Sequence, residues 1–347
     1  MTGNENMGQD QLINALPEGT RNILYSNDIT PDNAGALELS PFTVIRGLWN
    51  LFMQELTSPL RMLAALTGVI LLCAAAETLR DGAGSNKASD TFGLVGVLAG
   101  AGLMIVYVSE CVAKAAATLN AGATFLLVFV PVFAGIMVVC GQLTTASVFS
   151  ATLVAAGQVF MYITSAVLTP LASCILGVSA AGAVNPDLKI DSLSKTAAKV
   201  VSWTLALLVT VFTGLLSLQS FISTSADTVA MRAVKFTVST TVPIVGGAVT
   251  DALAAVRGSL NLLRGSTGTF GIIAGLTIIA PTMISVFCHK IALGLAAAIS
   301  DIFGLNALSA LLRSGENVVG IIFAMLFCFT LILVISVALM LLMWNGG

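Results

Sequence analysis

Between Lys114 and Asp187 the chain has no charged residue across 72 positions. Drawn out as one helix, such a run would be ~108 Å long at 1.5 Å per residue. The hydrocarbon core of a bilayer is only ~30 Å thick, so the run must fold back on itself. Breaks are expected near Asn120-Ala-Gly122, near Gly141-Gln-Leu-Thr-Thr145 and at Thr169-Pro170. Composition agrees: 57% of residues are hydrophobic and 9% charged, with mean hydropathy +0.98. Soluble domains carry ~25% charge. The fold class expected is therefore all-α, a polytopic integral membrane protein with about six to eight transmembrane helices.

Residues 1–59 form a polar, acidic head, and 60–347 the membrane domain. The head holds Glu5, Asp10, Glu18, Asp28, Asp32, Glu38 and Glu55 against Arg21 and Arg46. The opening MTGNENMGQDQ has neither a basic nor an apolar leader region. Two expectations follow: a mature chain written without its leader, or one inserted through its first span. Ser40-Pro41 reads as an N-cap followed by an N1 proline. Phe42, Ile45, Trp49, Phe52, Met53 and Leu56 then recur at helical spacing, which predicts an amphipathic helix over about 41–56. It would lie in the membrane interface or pack on the spans.

Spans are expected over about 60–78, 91–110, 122–141, 147–168, 200–223, 268–288 and 317–343, with a shorter apolar piece at 171–184. Gly96 and Gly100 form a small-xxx-small face suited to close helix packing. The piece from His289 to Ser314 is semi-apolar but interrupted by Lys290, Asp301 and Arg313.

Several function classes are excluded. A net charge of −2 gives no electrostatic footprint for nucleic acid. The six cysteines show no zinc or redox spacing and read as small apolar side chains. A single histidine cannot build a paired-His metal site. No GxSxG frame or P-loop occurs, so the chain is read as neither an enzyme nor an ATPase. No cofactor is implied. Ionisable residues at membrane depth are functional by default; Glu110 and Lys114, at i and i+4 near a span end, read as a local ion pair.

The most unusual stretch is KFTVSTTVPIVGGAVTDA, 235–252. Its apolar run is too short to span. Pro243 removes a donor and disfavours helix at Val242, and Gly246-Gly247 allows backbone conformations that other residues avoid. Broken backbone at membrane depth is tolerated only inside protein or beside water. The preferred arrangement for about 236–262 is a re-entrant hairpin or discontinuous helix. A surface-lying segment and an ordinary kinked helix are the alternatives. The candidate functional segment comprises Asp227, Lys235, Phe236, Pro243, Gly246, Gly247 and Asp251. On the residues alone, a transporter or channel subunit competes with a scaffold that binds other membrane proteins. A coupled transporter usually places paired ionisable residues mid-span, and their scarcity here favours a complex-forming subunit or passive conduit.

AVKFTVSTTVPIVGGAVTDAL (233–253), followed by GTFGIIAGLTIIAP (268–281), resembles the stage III sporulation protein AE family of endospore-forming bacteria. ALPEGTRNIL (15–24), SPFTVIRGLWNLFMQELTSPLRML (40–63), SWTLALLVTVFTGLLSLQSF (202–221) and Asp227 agree with it. Arg264 departs from the lysine often found before the segment corresponding to Gly265-Ser-Thr-Gly268. The resemblance implies a multi-pass protein of the mother-cell membrane around the forespore. It implies a subunit of a secretion-type, feeding-tube channel complex needed for spore development after engulfment. The partners implied are the other stage III sporulation A proteins, including an ATPase, and indirectly stage II sporulation protein Q. The alternative is a stand-alone permease of unknown substrate.

Overall fold

The structure, a computed structural model, describes residues 10–27, 29–31, 33, 52–83, 86–163, 166, 169–184, 190–241 and 246–342. The elements are α1 (Glu18–Ser26), α2 (Thr57–Ala83), α3 (Asn86–Val139), α4 (Leu143–Ile163), α5 (Thr169–Val184), α6 (Ile190–Thr241), α7 (Gly246–Ile302) and α8 (Asn306–Leu342). Among the described residues, six helical stretches are long and apolar enough to cross a membrane, within the range read from the sequence. The amphipathic helix expected over 41–56 lies outside the described residues, except for a turn from Phe52 that leads into α2.

The expected break at Asn120-Ala-Gly122 is absent. The sequence predicts separate spans over 91–110 and 122–141, yet α3 runs unbroken from Asn86 to Val139, even past Pro131. Gly122 has a packing role instead: a Cβ there would come within 2.6 Å of the Phe329 ring on α8. The glycine admits a close neighbour rather than ending the helix, a use typical of membrane helices.

The break at Gly141 does occur. Gly141 takes φ 85°, in the left-handed region open to glycine, and α3 turns back into α4. Thr169-Pro170 opens α5, where proline's missing N–H costs nothing. The semi-apolar piece after His289 resolves into the end of α7, a turn at Phe303–Leu305 and the start of α8. Gly304, at φ 75°, makes that turn.

Close pairs set the registers. Glu55 meets Lys114, and Gly96 lies against Cys73, so α2 runs antiparallel to α3. Thr118 meets Thr282 and Phe129 lies over Gly271, so α3 is antiparallel to α7. Gly275 faces Leu333 and Gly294 faces Glu316, which makes α7 and α8 a hairpin. Phe125, Phe129 and Phe133 stack at 5.5 Å centroid spacing along α3 and fill the core against α7 and α8. The part of the head around α1 packs at the Gly265 end of α7. There Leu16 and Leu24 are buried beside Phe270, and the Ser266 hydroxyl donates to the Pro31 carbonyl at 2.6 Å.

Candidate functional site

Helix α4 starts immediately after the Gly141 turn, with Gln142 in the N-cap position; the Ala146 N–H bonds the Gln142 carbonyl at 3.0 Å. Gln is not a favoured capping residue, and the first-turn N–H groups of a helix have no partner within it. Asp227 of α6 supplies the missing acceptor. Its Oδ1 accepts the Thr144 N–H at 3.0 Å. Its Oδ2 accepts the Thr145 N–H at 3.0 Å and the Thr145 hydroxyl at 2.6 Å. The aspartate is buried, and Thr145 is fully so. A carboxylate against helix N-terminal amides is favoured by both hydrogen bonding and the macrodipole. One side chain thus joins two spans as a cap supplied from another helix. Eight residues further along each helix, Thr152 Oγ1 and Gln219 Oε1 lie 2.9 Å apart, continuing the antiparallel register.

The remaining residues of the candidate segment follow Asp227 along the chain. Lys235 and Phe236 lie near the end of α6, which stops at Thr241. Pro243 falls outside the described residues. Gly246 and Gly247 open α7, and Asp251 lies early in it. The helix thus ends before the proline and restarts at the glycines. For 234–241 and 246–261 only the backbone is described.

Gly96 and Gly100 face different helices. Gly96 abuts Cys73 of α2, and a Cβ on Gly100 would lie 2.5 Å from Leu308 of α8.

Sequence reasoning missed Thr144 and Thr145. The available signal was Gln142: a helix start with no capping residue needs an acceptor from elsewhere. It also assigned Lys114 to Glu110, one turn away. Lys114 instead pairs with Glu55 at 2.5 Å and reaches Ser285 Oγ at 3.4 Å. Beside it, His289 Nε2 lies 3.3 Å from Ser58 Oγ, and Nδ1 lies 2.8 Å from the Ser285 carbonyl, which fixes Nδ1 as the protonated nitrogen. Asp301 pairs with Arg313 near the α7–α8 turn.

The family model described as stage III sporulation protein AE matches residues 27–343. The chain belongs to the stage III sporulation protein AE family. The stage III sporulation protein AE of Bacillus subtilis (strain 168) is 20% identical over 274 residues, covering 78% of this chain and 68% of that protein. No solved structure matches the chain. The family match takes in Asp227, both threonines it caps and the whole 235–252 stretch. With six candidate spans among the described residues, this family member is a multi-pass membrane protein.

Proposed function

We propose that this protein is a membrane subunit of the channel complex linking mother cell and forespore, required for spore development after engulfment. The observation that carries the reading is the family match over nearly the whole chain, 27–343. In this reading it sits in the mother-cell membrane around the forespore and works with the other stage III sporulation A proteins. An ATPase partner supplies energy, since the chain carries no P-loop. Stage II sporulation protein Q is reached indirectly, across the intermembrane space. Asp227 supports a structural subunit over a stand-alone permease. A carrier carboxylate must be free to exchange its ligand, whereas both oxygens of Asp227 are held by α4. The test is depletion of the protein in the sporulating host. Arrest of forespore development after engulfment, reversed by a second gene copy, is expected. Normal spore yield on depletion refutes the proposal.

A further inference from the structure

The apolar part of α3, Val95–Val139, is 45 residues long. At 1.5 Å per residue it measures ~68 Å, whereas a bilayer with its headgroups is only ~40–45 Å thick. One membrane cannot cover it. The registers show where the division falls. Glu110 and Lys114 of α3 lie level with Glu55 and Arg61 around the start of α2, with His289 and Lys290 of α7, and with Glu316 of α8. Three acids and three bases therefore form one belt, about six residues deep on α3 or ~9 Å.

On one side of the belt, 115–139, 265–288 and 317–342 carry no charge at all. Helix α6 agrees. Counting back from Asp227, 200–226 is charge-free, and Lys199 and Lys195 follow. This slab is ~36 Å tall and includes α4, which starts at the Asp227 clamp. It matches a bilayer, with the belt at one face and the clamp and α1 at the other.

On the other side stand two helical hairpins, α2 with the first half of α3, and the end of α7 with the start of α8. Away from their tips, where Glu77, Arg80, Asp81, Lys87 and Asp90 fall in the first and Asp301 and Arg313 in the second, they are apolar too. Leu72 is 73% exposed, Ile302 80% and Val106 63%, with Leu71 and Val95 also exposed. If lipid fills the charge-free slab, it cannot reach them.

We infer that the belt marks the bilayer boundary and that this apolar collar packs against a second copy of the same chain. The bilayer sets the height of each copy, so collars meet at one level and belts meet belts. The belt suits such a contact because it carries both signs in equal number, with Arg61 and Glu110 on its exposed side. Glu55 already pairs with Lys114 within the chain, so Arg61 and Glu110, one of each sign, are the charges that a symmetric partner meets. The Asp301–Arg313 pair neutralises the hairpin tip within the chain.

The test uses the full chain, with native cysteines replaced, in vesicles of phosphatidylethanolamine and phosphatidylglycerol at high lipid excess. Single cysteines are placed by Leu72→Cys, Ile302→Cys and, in the charge-free slab, Leu218→Cys. Mild oxidation should cross-link most of the Leu72→Cys and Ile302→Cys protein as dimers and little of the Leu218→Cys protein. Leu72→Lys, still membrane-inserted, should shift the species measured by light scattering from dimer to monomer. Quenching of a Leu72→Cys fluorophore by bromolipid would overturn the inference, because the collar would then lie in lipid. A monomer whose Leu72→Cys reacts freely with water-soluble maleimide would overturn it as well.

Discussion

Removal of the Asp227 carboxylate is the sharpest perturbation the structure offers. In Asp227→Ala three donors lose their acceptor: the Thr144 N–H, the Thr145 N–H and the Thr145 hydroxyl. Their fates differ. Thr144 is exposed, so water replaces its partner at little net cost. Thr145 is fully buried, and each buried donor left unmade costs ~1–3 kcal/mol. Because both donors share one carboxylate oxygen, their costs do not simply add. A total destabilisation of about 3 kcal/mol follows, above the ~1 kcal/mol typical of an exposed N-cap. Asp227→Asn keeps one acceptor oxygen and should lose roughly half as much. Reversible SDS unfolding of the purified protein measures both. A cycle pairing Asp227→Ala with Thr145→Val should give a coupling of about 1 kcal/mol or more. If Asp227→Ala lies within ~0.5 kcal/mol of the parent, or the coupling vanishes, the clamp does not bear on stability.

Other substitutions separate the roles assigned to particular residues. Gly246→Leu or Gly247→Leu should block forespore development while the protein remains in the membrane, as read from spore counts and membrane blots; normal spore yield would remove the role proposed for this segment. Gly122→Leu should destabilise by ~1–3 kcal/mol through overpacking against Phe329, whereas Gly102→Ala, with open space at its Cβ, should change little in the same unfolding assay. Glu55→Gln should cost no more than about 1 kcal/mol, because the Glu55 and Lys114 side chains remain 23% and 42% exposed. Gly304→Val should cost ~1–2 kcal/mol, since φ 75° places a Cβ against the following carbonyl.

Much of the fold was legible because lipid imposes a strict rule: long uncharged runs must be helical. The runs after Lys114, before Asp227 and after Glu316 became spans for that reason. Boundaries were harder to read, because a glycine carries two opposite meanings. Gly141 and Gly304 sit at positive φ and turn the chain, whereas Gly122 lies within α3 and admits Phe329. Local sequence does not distinguish these uses; the facing helix does. The site was legible only in part for a related reason. Asp227 stood out as an aspartate in an apolar context, but its partners lie 82 and 83 positions away. Lys114 was matched to Glu110 by helical spacing, whereas the antiparallel register with α2 brings Glu55 to it. Spacing finds neighbours on one helix; contacts between helices depend on register, which a single sequence does not state.

The most direct test of the central claim is purification of a tagged, full-length protein from sporulating cells after engulfment, followed by mass spectrometry of what accompanies it. Other stage III sporulation A proteins, the ATPase among them, should co-purify, with their recovery reduced in Asp227→Ala. Recovery of the protein from the same membranes without any of these partners would contradict it.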